Sequence, residues 1–226
     1  MRVMQPHVTP AAWTLVVPLK PLTRAKSRLA ATAGDPARAH LALAFAQDTV
    51  SAALACTAVR DVAVVTNDQV AARELTALGA RIVPDAADAG LNPALAHGAT
   101  AVRSLCPEAA LAALNADLPA LRPEELAQVL HAAARSSRAF LADSAGTGTT
   151  LLSALPGHEL APHFGPRSRA RHRASGAEEI ALTGVESVRQ DVDTEADLAA
   201  ALTLGVGAFT ARARCRGAGA APANSA

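Results

Sequence analysis

Residues 61–85, DVAVVTNDQVAARELTALGARIVPD, decide the fold. Residues 61–68 are an apolar run ending in polar residues, which reads as a buried strand. Residues 69–80 have helical apolar spacing and stop at a glycine, the residue most often found just past a helix end. Residues 81–85 read as a third, short strand. Strand, helix and strand in 25 residues make a βαβ unit, and parallel strands need such a crossover.

The alternation continues in both directions. Upstream, WTLVVPL (13–19) is a buried strand followed by a basic loop, and Asp35-Pro36 opens a helix running to about Cys56. Downstream, residues 90–105 are a loop and helix, and LAALNAD (111–117) is a strand. A helix over 122–137 carries proline and glutamates in its first turn, and RAFLADS (138–144) is a further strand. Strands alternating with helices predict an α/β fold: one three-layer domain with a mostly parallel central sheet and helices on both faces. From residue 145 the pattern breaks into Gly-, Ser- and Arg-rich segments that read as an insertion over the sheet rim. Residues 188–205 return to a strand and a helix, with Thr194 as N-cap and Asp197 completing a capping box. The domain spans 13–209, with an extension at 1–12 and a low-complexity tail at 210–226 that reads as disordered.

Half the chain is apolar, enough for a sizeable core, and with four Phe, one Trp and no Tyr that core is aliphatic. A net charge of +1 argues for neither a nucleic-acid nor a membrane surface. Three scattered cysteines fit a reducing compartment rather than a disulfide framework or zinc site. No secretory signal or membrane-length apolar run is evident, so a cytoplasmic location is expected.

Ligands of open α/β sheets bind outside the carboxyl ends of the strands. Lys20, Asn67, Asp68, Asp85 and Asp117 all fall just past such ends. Asp117, before Leu118-Pro119, is by itself as much a turn residue as a ligand. Asp191 and Asp193 are two apart in an extended segment, so both point to one face. A carboxylate from that pair could meet Asp117 across a groove and, with substrate phosphates, hold Mg²⁺. Lys20, Arg24, Lys26 and Arg28 form either a solvated loop or a phosphate cradle. No GxxxxGK[ST] is present, and no GxGxxG follows the first strand, so neither a P-loop nor a dinucleotide site is indicated. GTGTT (146–150) offers backbone N–H groups and hydroxyls to an anion, or is a plain loop. The arginine-rich run at 164–177 lacks aromatic interleaving, which favours a small anionic ligand over RNA or DNA.

Six pieces in register, VVPLKPLTRAKSRLA, GLNPAL, NADLPAL, GTGTTLL, FGPRSRARHRASGA and DVDTEADLAAALTLGVG, resemble the guanylyltransferases of coenzyme F-420 biosynthesis. That family acts on phosphoenolpyruvate or 2-phospho-L-lactate. The resemblance implies a nucleotide-diphospho-sugar-transferase-like (Rossmann-like) fold and transfer of GMP from GTP, with Mg²⁺ as cofactor. It implies metal binding by Asp117, Asp191 and Asp193, and catalytic roles for Asp117, Lys20 and Lys26. Lys20, Lys26 and Arg28 would face the GTP phosphates or the acceptor, and Asn92 would lie near the base. Thr149, Gly165 and Ser168 would contact phosphoenolpyruvate. Position 115 is Asn rather than a second acid, so metal binding leans on the later Asp pair. The implied partners are GTP, the acceptor and a following transferase that takes an unstable product; a homodimer is left open. Phosphoenolpyruvate is the first reading of the acceptor, from GTGTT and FGPRSRARHR, and 2-phospho-L-lactate the second. A nucleotidyltransferase for another phosphorylated acceptor, and a non-catalytic nucleotide-binding module, are the further alternatives.

Overall fold

The computed structural model describes residues 12–24, 35–85 and 90–218. Its strands are β1 (Trp13–Pro18), β2 (Val59–Val65), β3 (Arg81–Val83), β4 (Ala110–Leu114), β5 (Arg138–Ala142), β6 (Thr149–Ala154) and β7 (Glu178–Glu179). They form one sheet in the order β3-β2-β1-β4-β6-β5-β7. Four of the pairings are parallel. The two made by β6 are antiparallel. The expected three-layer α/β architecture is the one found, with β6 as the departure.

Side-chain alternation sorts the sheet into two cores. Leu15, Val17, Val62, Val64, Ala112 and Leu114 face one side. There they meet α1 (Asp35–Ala55), α2 (Gln69–Ala77) and α4 (Pro123–Ala133). Val16, Ala63, Val65, Leu111 and Ala113 face the other, against α3 (Leu91–Leu105). Both faces are covered, so the central strands β1 and β4 are apolar almost throughout, while charged residues fall at the starts of β2, β3 and β5 and in the edge strand β7.

Helix α3 sits close because residue 98 has no side chain. A Cβ on Gly98 would stand 2.6 Å from both Val16 Cγ1 and Val65 Cγ2. Gly98→Ala is therefore expected to destabilise the fold by about 2 kcal/mol, overpacking outweighing the ~1 kcal/mol gain in helix propensity. Denaturant unfolding checks this; a stabilised variant would mean that α3 has room to spare.

Three expectations are corrected. Residues 188–193 form no strand among the described residues: a short helix α6 (Glu186–Arg189) leads into an irregular segment whose Val192 N–H is taken by the Asp117 carbonyl. The Gly/Thr segment begins strand β6, all six of whose residues are buried. Residues 210–218, expected to be disordered, lie in α8 (Ala208–Ala218). That helix is seated by the Asp48 carboxylate, which accepts from the N–H groups of Phe209 at 3.0 Å and Thr210 at 2.8 Å. Helix α7 (Glu195–Leu204) carries the anticipated Thr194/Asp197 capping box. No helix among the described residues is long and apolar enough to cross a membrane.

Candidate active site

A cleft of about 740 Å³ opens where β1 and β4 end and β6 begins. Lys20, Asn115, Asp117, Thr149, Gly165, Ser168, Asp191 and Asp193 line it. The antiparallel course of β6 brings Thr149 to the same rim as Asp117: Leu151 pairs with Leu114, and the Asn115 N–H donates to Thr150 O at 3.0 Å.

The turn bearing Asp117 is stapled from below. Buried Thr49 on α1 accepts from the Leu118 N–H at 3.0 Å, and its hydroxyl lies 3.2 Å from Ala116 O and 2.8 Å from Phe45 O. Fully buried Leu118 anchors the chain beyond. The acidic pair is tied to this turn by the backbone, Val192 N–H donating to Asp117 O at 3.1 Å. Val192 is buried with Phe45, Ala120 and Ala201, so the residues flanking it turn the other way, to the cleft. Asn115 donates to Asp191 Oδ2 at 3.3 Å, and the Asp193 N–H to Asp197 Oδ2 at 3.2 Å. Behind them the Glu125 carboxylate holds the Ser187 N–H at 2.8 Å and fixes α6.

Among the described residues no three His, Cys, Asp or Glu side chains cluster closely enough to hold a metal by themselves. The hard oxygen donors on the cleft wall suit Mg²⁺ bound by one or two carboxylates with substrate oxygens and water completing the shell. They do not suit a soft or all-protein metal centre.

The opposite wall is built from tight turns. Asp143 accepts from the N–H groups of Thr147 at 2.9 Å and Gly148 at 2.8 Å, and a Cβ on Gly148 would stand 2.3 Å from Asp143 Oδ2. Gly165 (φ 110°) and Arg167 (φ 55°) bracket Pro166 in left-handed conformations ahead of α5 (Ser168–Ala174). Arg169 is bound to Glu179 and Gly146 O, Arg171 to Phe164 O and Arg173 to Glu179, so these three arginines brace the wall. Arg167 is the member of the run that lines the cleft.

His172 on α5 is fully buried. Its Nδ1 lies 2.9 Å from Thr149 Oγ1, and its Nε2 accepts from the His163 N–H at 2.9 Å. Burial, reinforced by the neighbouring His163, Arg138 and Arg171, pushes its pKa down to about 4.

The Asn92 carboxamide clamps the Phe164 backbone, donating to its carbonyl at 3.1 Å and accepting from its N–H at 2.7 Å. Asn92 thus braces the wall and does not line the cleft. Lys26 and Arg28 lie outside the described residues. Exposed Lys20 lines both the cleft and a recess of about 240 Å³ beside it, formed also by Val65, Asp85, Gly90, Leu91 and Ala94. Asn67 holds the Asp85 backbone from both sides, donating to its carbonyl at 2.7 Å and accepting from its N–H at 3.0 Å. Asp68 is the N-cap of α2 and also accepts from the Leu22 N–H at 2.9 Å, so its carboxylate is structural. The sequence offers His172 only as one more member of the arginine-rich run, because a histidine there carries no sign of burial.

The sheet order and the cleft at its rim are those of the nucleotide-diphospho-sugar transferase fold. A Desulfovibrio desulfuricans protein named as such a transferase superposes with a TM-score of 0.67 at 14% identity, over 92% of this chain and 96% of its own. The manganese complex of Rv0371c from Mycobacterium tuberculosis superposes with a TM-score of 0.50 at 20% identity, over 86% of this chain and 100% of its own. Residues 13–212 match the family described as "Guanylyl transferase CofC like", and the chain belongs to that family. The phosphoenolpyruvate guanylyltransferase of Streptomyces avermitilis is 71% identical over 204 residues, 90% of this chain and 94% of that protein.

Proposed function

We propose that this chain transfers GMP from GTP to phosphoenolpyruvate, releasing pyrophosphate and enolpyruvyl-2-diphospho-5'-guanosine, in coenzyme F-420 biosynthesis. The observation that carries this reading is a single cleft lined on one side by Lys20 and three aspartates and on the other by Thr149, Gly165 and Ser168. The name and high identity of the Streptomyces relative support the choice of substrates.

The chemistry needs little from the protein beyond alignment and charge neutralisation. A phosphate oxygen of the acceptor is already ionised near neutral pH, so it attacks the α-phosphorus without a general base. Pyrophosphate leaves opposite. Thr149, Ser168 and the backbone at Gly165 hold the acceptor, Lys20 offsets phosphate charge, and holding both substrates in one cleft makes the attack effectively unimolecular. Asp117 with one of Asp191 and Asp193 would hold Mg²⁺, whose contribution when bound is to neutralise the phosphates. The product is a mixed diphosphate of an enol, a reactive species suited to immediate use by a following transferase.

The recess of about 240 Å³ beside the cleft is the place this reading assigns to the guanine base. A carboxylate at its rim accepts from adjacent N–H groups, and guanine offers N1–H and N2–H₂ where adenine does not. Asp85→Asn is expected to lower the preference for GTP over ATP about tenfold, or roughly 1.4 kcal/mol, in kcat/KM comparisons. An unchanged preference would place guanine elsewhere.

The overall reading is tested by pyrophosphate release with GTP, Mg²⁺ and either phosphoenolpyruvate or 2-phospho-L-lactate, with the following transferase present to trap product. Release with the first acceptor is the expected result. Release only with the second, or with neither, overturns it.

A further inference from the structure

We infer that His172 is a positioning residue that fixes the polarity of the Thr149 hydroxyl, making it a hydrogen-bond donor directed at an anionic oxygen of the acceptor. The inference rests on the placement of the acceptor at Thr149 given above.

The hydrogen-bond network fixes the tautomer. The His163 backbone N–H, 2.9 Å from Nε2, requires a lone pair there. A neutral imidazole has one N–H, so it must be on Nδ1. That N–H points at Thr149 Oγ1, 2.9 Å away, and the hydroxyl accepts it. The hydroxyl's own hydrogen then remains to be donated, and no protein acceptor for it is found among the described residues. Thr149 is 3% exposed and lines the cleft, so the cleft is where that hydrogen can go. A carboxylate or phosphate oxygen there only accepts, and the match is one of polarity as well as position.

The surroundings keep this arrangement from reversing. The imidazole packs against Phe140 with ring centres 5.8 Å apart and edge-on to Phe164 at 5.0 Å. Its depressed pKa keeps it neutral near pH 7, where an imidazolium would set a second N–H against that of His163. Both ring nitrogens are engaged and the side chain has no exposed surface, so His172 acts on the acceptor only through Thr149.

The test is a double-mutant cycle read in steady-state kinetics with each substrate varied. Thr149→Val should raise KM for phosphoenolpyruvate roughly tenfold with little change in the KM for GTP, and Thr149→Ser, which keeps the hydroxyl, should recover part of the loss. His172→Phe should raise the acceptor KM to a similar degree, and the double variant should be no worse than Thr149→Val alone. His172→Asn, which can still donate near the Nδ1 position, should recover part of the loss. Should His172→Phe fail to fold, ¹⁵N shifts of the wild-type imidazole settle the tautomer: Nδ1 protonated and Nε2 bare supports the inference, the reverse overturns it. Additive effects, or an equal rise in KM for GTP, reduce His172 to a packing residue and overturn it as well. If Thr149→Val changes nothing, the acceptor lies elsewhere and the inference falls with that placement. If Thr149→Val acts and the His172 variants do not, the placement stands and the inference alone fails.

Discussion

Asp117→Asn is expected to lower kcat by a hundredfold or more, about 2.7 kcal/mol of barrier, with little change in thermal stability. Backbone bonds that the substitution does not touch help hold this turn: the Asp117 carbonyl receives the Val192 N–H, and the Thr49 hydroxyl grips the neighbours of Asp117 on both sides. Asparagine has the same shape and leaves those bonds in place. It removes one negative charge from a wall whose proposed task is to hold a divalent cation against the triphosphate. A carboxylate–Mg²⁺ contact is electrostatic, and a neutral amide replaces it poorly. The loss should therefore appear in kcat at limiting Mg²⁺ and be partly relieved at high Mg²⁺. The measurement is pyrophosphate release across a magnesium titration, with unfolding followed in parallel. If the variant turns over within twofold of wild type at limiting Mg²⁺, Asp117 is a turn residue and the metal lies elsewhere.

Asp117 was legible because strand-to-helix alternation announces strand ends, and strand ends announce the binding rim. Asp191 and Asp193 were legible from their spacing alone, since Val192 between them had to point inward and does so. The same logic fails at β6. TTLLSA follows a glycine-rich turn and is buried on both faces, so it shows no polar alternation, and nothing local reveals that it runs against its neighbours. Helix α8 was illegible for a different reason: an Ala/Arg sequence of low complexity is made helical by a carboxylate 161 residues away. The arginine run misled in a third way. Its charge suggests an open cationic surface, yet Arg169, Arg171 and Arg173 are consumed by carbonyls and Glu179, and a buried histidine sits among them. Long-range pairing decided each of these cases, and local sequence carries little of it.

Acid should destabilise the protein through His172 by on the order of 3 kcal/mol in total. In the unfolded chain this histidine titrates near its ordinary value of 6.5, whereas in the fold burial lowers it to about 4. Between those values the unfolded chain binds a proton that the folded one refuses, so stability rises with pH across this window. The stabilisation of the neutral ring is fully present above pH 6.5, is lost as pH falls toward 4, and changes no further below that. Every charged or titratable neighbour acting on the ring, namely His163, Arg138 and Arg171, pushes in the same direction, and no carboxylate offsets them. Aspartates and glutamates also contribute to acid lability, so the group must be isolated by difference. His172→Asn cannot titrate in this range, but keeps the carboxylates. Guanidinium unfolding at pH 7 and pH 4.5 should show wild type losing roughly 2.5 kcal/mol more than the variant. Parallel losses would mean that the folded protein admits a proton at His172 easily, as it could only if the Nε2 contact to the His163 N–H opened at little cost.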